Sequence, residues 1–102
     1  MATEDAILLT IFTEAALETS LVADIEKLGA QGYTITNARG KGSRGLREAS
    51  WEANSNIRIE IICSGEIAKK ITSHLQKTYY DNYAMVTFTT NVDVLRPEKF
   101  RS

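Results

Sequence analysis

Apolar residues fill almost every position from Ala6 to Phe12 (AILLTIF), the pattern of a strand covered on both faces or placed at a subunit contact. Thr13 is placed to cap the next element, and Glu14 lies where a helix dipole favours an anion. Leu17, Leu21, Ile25 and Leu28 then recur at helical spacing until Gly29, which predicts a helix over roughly 14–29. Tyr33 and Ile35 alternate with Thr34 and Thr36 in a second strand. In a third strand, Ile57, Ile59, Ile61 and Cys63 mark one face, with Arg58 and Glu60 on the other. Ser64 is the expected cap of a second helix, in which Ile67, Ile71, Leu75 and Thr78 or Tyr79 share a face. From Val86 to Leu95 the residues alternate again, with Val86, Phe88, Val92 and Val94 on one side and Thr87, Thr89, Asn91 and Asp93 on the other.

The predicted order is β-α-β-β-α-β. That is the ferredoxin-like α+β arrangement, a four-stranded antiparallel sheet with both helices on one face. The opposite face would carry Arg58 and Glu60 together with Leu8, Phe12 and Ile62, a mixture that suits contact with another subunit better than contact with water alone. An oligomer is expected.

A chain of 102 residues is expected to form a single domain, 1–102, and its 43% apolar and 25% charged residues are ordinary for a globular protein. The formal net charge of −1 argues against bulk attraction to nucleic acid or anionic membrane. Cys63 is the only cysteine, so an internal disulfide and any multi-cysteine metal site are excluded. The opening Met-Ala-Thr-Glu-Asp is acidic where a secretory peptide is basic, and no apolar run has the length of a membrane span. The cytosol is the expected location.

Between the second and third strands lie 17 residues, Gly40–Asn56, without periodic pattern. A short polar tail, 96–102, comes after the last strand. Residues 39–47, Arg-Gly-Lys-Gly-Ser-Arg-Gly-Leu-Arg, hold four cations and three glycines in nine positions. Glycines let backbone N–H groups converge on one anion, and Lys and Arg add charge and forked hydrogen bonds. Gly40-Lys41-Gly42-Ser43-Arg44-Gly45 formally matches G-x-G-x-x-G, and Glu60 falls about twenty residues on. A dinucleotide-binding unit, however, needs that motif after its first strand, a full helix next, and more parallel strands than this chain supplies. The Walker A spacing is absent. Two readings stay open at this level: a nest-type anion site with Lys41, Arg44 and Arg47 as donors, or a solvated loop whose cations repel one another. Glu48 and Glu52 come after the cations and are placed to pair with them when no ligand is bound.

The other chemistry-bearing residues say less. His74 is expected as a residue at the border of the second helix, without partners for a metal site. Trp51 either folds onto the body or serves as an aromatic anchor for a partner, and Tyr79, Tyr80 and Tyr83 suit packing. No triad, carboxylate pair or metal cluster argues for an enzyme. An RNA-binding βαββαβ domain stacks bases on aromatics of its central strands, and the third strand here has none.

Gly32-Tyr33-Thr34, Gly40-Lys41-Gly42 at the end of the second strand, the long loop and Ile57-Arg58-Ile59-Glu60-Ile61 together resemble the PII signalling proteins, over about residues 6–95. Within that superfamily the closer resemblance is to the SbtB group of cyanobacterial PII-like regulators, carried by Gly40–Arg44, Arg47 and Tyr83-Ala84. The resemblance implies a homotrimer of ferredoxin-like subunits that binds AMP, ADP, ATP and cyclic AMP between neighbours. It also implies control of the sodium-dependent bicarbonate transporter SbtA, with peripheral attachment to the membrane through that partner. Adenine nucleotides would be effectors, with no cofactor or metal required.

Carried onto this chain, the phosphate contacts would be Gly40, Lys41, Gly42, Ser43, Arg44 and Arg47. The adenosine would lie near Gly32, Tyr33 and Thr34 of one subunit and Glu60, Ile62, Tyr83, Ala84 and Met85 of others. The loop of about 40–56, the T-loop of this family, would engage the partner through Arg44, Leu46, Arg47 and Trp51. Departures from conventional PII are informative. Arg44 replaces the glutamine tied to magnesium-ATP-dependent 2-oxoglutarate sensing, and the loop has no tyrosine for uridylylation. Asp81-Asn82-Tyr83-Ala84-Met85 replaces the glycine-rich triphosphate loop, which favours smaller nucleotides or looser triphosphate binding. The sequence ends at Ser102 without the cysteine-bearing extension of some SbtB proteins, so redox control and nucleotide hydrolysis are not expected. A carboxysome-associated PII-like protein that binds nucleotide with bicarbonate is the alternative.

Overall fold

The computed structural model describes residues 6–40 and 55–96. Strand β1, Ile7–Glu14, runs through a single 3-10 turn, Ala15–Leu17, into helix α1, Glu18–Lys27. Strands β2, Thr34–Ala38, and β3, Asn56–Cys63, flank the long loop; helix α2, Gly65–Thr78, and strand β4, Met85–Asn91, complete the fold. The four strands form one antiparallel sheet in the order β2-β3-β1-β4. The architecture is the ferredoxin-like α+β fold that the hydrophobic pattern predicts.

One face of the sheet supplies the core. Leu9, Ile11 and Thr13 of β1 stand opposite Ile61, Ile59 and Ile57 of β3, and all six are buried. Leu21 and Ile25 of α1 and Ile67, Ile71 and Leu75 of α2 close over them in the same apolar cluster. Burying an aliphatic side chain of this size stabilises the fold by roughly 1.5–3 kcal/mol, so this double row carries much of the stability. Ser64 caps α2 as expected, its hydroxyl accepting the Ile67 N–H at 3.1 Å. Gly29 closes α1 with φ +113, a conformation that disfavours a side chain, and it brings the helix end against Ile67.

Three expectations need correction. Thr13 does not cap α1, because β1 continues through it to Glu14 and its buried hydroxyl is taken by the Ala84 carbonyl. The first helix therefore starts with a 3-10 turn at Ala15 and becomes α-helical only at Glu18, well inside the predicted span. The last strand ends at Asn91 rather than Leu95: its ladder with β1 stops at Ile7, one further bond runs from the Val92 N–H to the Ala6 carbonyl at 3.1 Å, and Leu95 is fully exposed.

The register places Leu8, Phe12, Arg58, Glu60, Ile62, Val86 and Phe88 on the face away from the helices. Val86 is 59% and Phe88 47% exposed there. The Arg58 guanidinium lies 6.0 Å from the Phe12 ring centroid, and the Phe12 and Phe88 rings are 6.3 Å apart. Val86 and Phe88 thus leave apolar surface exposed on this face, which also carries the charged Arg58 and Glu60.

Candidate functional site

The described residues singled out from the sequence fall into two groups, one on β2 and the adjacent strand β3, the other at the β4 edge of the sheet. Gly32 and Tyr33 lead into β2, and Thr34 stands opposite Glu60 on β3, with Glu60 opposite Thr10 on β1. Ile62 lies two residues further along the same face, opposite Leu8. The Arg58 guanidinium donates to Glu60 Oε2 at 3.3 Å, so the carboxylate has a cation beside it. Tyr33 is 39% exposed, and a Cβ built on Gly32 meets no atom within 4 Å. Nothing among the described residues thus requires glycine at position 32 for lack of space.

Tyr83, Ala84 and Met85 lie on the far edge, where α2 passes into β4. The N–H groups of Asn82 and Tyr83 donate to the Tyr79 carbonyl at 3.1 and 3.0 Å, and the Tyr79 and Tyr83 rings are 6.0 Å apart. Ala84 is tied to the end of β1 twice. Its N–H donates to the Glu14 carboxylate at 3.1 Å, and its carbonyl accepts from the Thr13 hydroxyl at 2.8 Å. The β4 ladder with β1 begins at Met85 opposite Thr13, so these two side chains extend the pairing by one residue where backbone partners run out.

Behind this segment is a polar cluster between the helices. Asp24 Oδ2 accepts from the Tyr79 hydroxyl at 2.5 Å and meets His74 Nε2 at 2.9 Å. Burial pushes the Tyr79 phenol up to about 12, helped by the hydrogen bond to Asp24 and its negative charge. Burial works against ionisation of Asp24 too, but the hydrogen bonds from Tyr79 and His74 and the charges of His74 and Lys27 outweigh it and lower its pKa. His74 therefore has a partner fifty residues away, where the sequence suggests an isolated helix-border residue.

The loop leaves and re-enters the sheet between adjacent strands, with Ala38 opposite Asn56. Arg39 and Gly40 are exposed just past β2. Lys41, Gly42, Ser43, Arg44, Leu46, Arg47 and Trp51, to which phosphate or partner contacts are carried over, lie outside the described residues. At the return end the Ala15 N–H donates to the Ser55 carbonyl at 2.7 Å. Asn37, Ile57, Thr13 and Met85 form one row across the sheet. The loop base and the Tyr83–Met85 segment therefore sit at the same end of the sheet, three strand spacings or about 14 Å apart.

Sequence reasoning missed Thr13, Glu14, Asp24 and His74 as structural partners of the candidate segment. Their bonds join positions fifty or more residues apart, and periodicity carries no trace of such pairs. Among the described residues no three His, Cys, Asp or Glu side chains gather as a metal-binding group. No helix among them is long and apolar enough to cross a membrane.

Solved structures of the same shape exist. A PII-like signalling protein of Thermus thermophilus is 47% identical, with TM-score 0.79, over 93% of this chain and 94% of that one. CPII from Thiomonas intermedia, bound to ADP, AMP and acetate, is 26% identical with TM-score 0.81 over 95% of each chain. The same protein bound to ADP and bicarbonate is 28% identical with TM-score 0.80 over 94% of each chain. Residues 6–99 match the family described as nitrogen regulatory protein P-II, which spans every strand and helix described above. With fold, loop position and sequence in agreement along its whole described length, this chain belongs to the P-II family of signalling proteins.

Proposed function

We propose that this PII-like signalling protein senses adenine nucleotides in clefts between the subunits of a homotrimer and uses its T-loop to regulate inorganic carbon uptake. The observation that carries the reading is that CPII, alike over 95% of both chains, holds ADP and AMP. The sheet order supports the location. Gly32, Tyr33 and Thr34 lie at the β2 edge, Glu60 and Ile62 on the neighbouring strand β3, and Tyr83, Ala84 and Met85 at the β4 edge, a separation that favours a ligand shared between subunits. In this reading neighbouring subunits supply the two parts of each cleft, and the exposed Val86 and Phe88 on the open sheet face give them apolar surface to bury. Gly40, Lys41, Gly42, Ser43, Arg44 and Arg47 then hold the phosphates at the loop base.

The partner in this reading is a bicarbonate transporter of the SbtA type. Its contacts are Arg44, Leu46, Arg47 and Trp51, and they bring a cytoplasmic protein to the membrane. Titration calorimetry with AMP, ADP, ATP and cyclic AMP tests the sensor. Binding of at least one well below millimolar is expected, and a limit near 1 mM, about −4 kcal/mol, for all four removes the proposal. Arg47→Ala is expected to weaken binding about tenfold while leaving the oligomer intact, as loss of one charge-assisted phosphate contact predicts.

A second reading has its own support. CPII has been solved bound to ADP and bicarbonate, which favours bicarbonate as a co-ligand, as in a carboxysome-associated PII-like protein. Calorimetry of ADP with and without bicarbonate separates the two, because a co-ligand raises nucleotide affinity and a downstream transport substrate leaves it unchanged. A pull-down that recovers a carbonic anhydrase or shell component favours the same reading.

A further inference from the structure

Three consecutive residues at the end of β1 touch both parts of the molecule that a nucleotide sensor has to connect. On one side, the Thr13 hydroxyl and the Glu14 carboxylate hold the carbonyl and the N–H of Ala84, the middle of the Tyr83–Met85 segment. On the other, Glu14 stands opposite Asn56, and the Ala15 N–H donates to Ser55 at the return end of the loop. The path between the two runs along a single stretch of backbone, since Glu14 and Ala15 are joined by one peptide bond.

We propose that Glu14 is a positioning residue that couples the Tyr83–Met85 segment to the return end of the T-loop. This rests on the nucleotide reading above. A ligand that fixes Ala84 fixes the carboxylate hydrogen-bonded to it, and the charge-assisted bond resists a shift of Ala84 that leaves Glu14 behind. The end of β1 is then held as one body with Ala15, and the Ala15–Ser55 bond is strengthened when Ala84 is fixed. Linkage makes the effect reciprocal, so a partner that immobilises Ser55 and Asn56 raises nucleotide affinity by the same factor.

Amide hydrogen exchange read by NMR tests this on the unmodified protein, Glu14→Ala and Glu14→Gln, each with and without saturating ADP. In the unmodified protein and in Glu14→Gln, whose amide oxygen still accepts from Ala84, ADP is expected to slow exchange at Ala15 by about fivefold or more. In Glu14→Ala, ADP is expected to bind about fivefold more weakly and to leave the Ala15 rate unchanged at saturation. Thr13→Val keeps the side-chain shape and removes the other tie to Ala84. It is expected to show a smaller loss of the same kind, and it decides the matter where Glu14→Ala does not fold. Equal slowing by ADP in all variants overturns the coupling role while leaving the nucleotide reading intact. Failure of ADP to bind the unmodified protein overturns the nucleotide reading, and the coupling with it.

Discussion

The Tyr79 hydroxyl donates to the Asp24 carboxylate at 2.5 Å and so fastens the end of α2 onto α1. Tyr79 is buried, and its carbonyl receives the N–H groups of Asn82 and Tyr83, so the same residue anchors the start of the candidate nucleotide segment. The fold favours the neutral phenol and the ionised carboxylate. Tyr79 therefore adds stability that is complete below the ordinary phenol value of 10.0 and lost as pH rises through about 12. Asp24 adds stability that is present above its ordinary value of 3.8 and lost as pH falls through its lowered one. Tyr79→Phe is expected to cost about 1.5 kcal/mol at neutral pH, the lower range for a hydrogen bond to a charged group that keeps some solvent. Urea unfolding at neutral pH and at pH about 11 checks it, and the variant should show the smaller alkaline loss.

Gly29 leaves no room for a side chain. A Cβ there would stand 2.6 Å from Ile67 Cδ1, and φ is +113. Gly29→Ala is expected to destabilise the protein by about 1–3 kcal/mol through strain and a forced shift of Ile67. Thermal unfolding measures this, and Gly32→Ala, where the added Cβ meets nothing within 4 Å, is the control expected to stay near neutral in stability.

Phe88 and Val86 sit on the sheet face that the helices leave open. Phe88→Asp places a charge there without touching the core, so circular dichroism should stay unchanged. Sedimentation should show the subunits associating at least about tenfold more weakly, because a carboxylate in an apolar contact loses its hydration. An unaltered oligomer in this variant would move the interface elsewhere.

Cys63 ends β3 on the core face, 2% exposed, and burial pushes its thiol up to about 11. At neutral pH it is a protonated, inaccessible thiol, and alkylation has to wait for the strand to open. Labelling by iodoacetamide is expected to be at least about a hundredfold slower than in the urea-unfolded chain. Rapid labelling of the native protein would place the end of β3 in a region that opens readily.

The elements were legible in the sequence wherever one face of them is buried. Ile57, Ile59, Ile61 and Cys63 announce β3, and Ile67, Ile71, Leu75 and the Ser64 cap announce α2, because burial imposes a strict period and a helix start needs an acceptor. The end of β1 departs from the sequence pattern for a physical reason. A threonine before a helical run can serve either the helix N–H groups or a distant carbonyl, and only the arrival of Ala84 from 71 residues away decides between them. Alternation at Val86 and Phe88 signals a strand but is silent on which face meets the helices, and the register sends both outward. The candidate site was legible as composition and resemblance. Its division between the two sheet edges was not, since strand order is set by the tertiary path and leaves no periodic mark.

That division carries a consequence in mixed assemblies. With β2 and β4 at opposite edges of the sheet, each proposed cleft would draw one wall from one subunit and the other wall from its neighbour. Two defective variants, one impaired at Tyr33 and one at Tyr83, would each lack every functional cleft as pure trimers. Reassembled together they would produce some clefts walled by the sound edge of each, so the mixture would regain nucleotide binding that neither parent has.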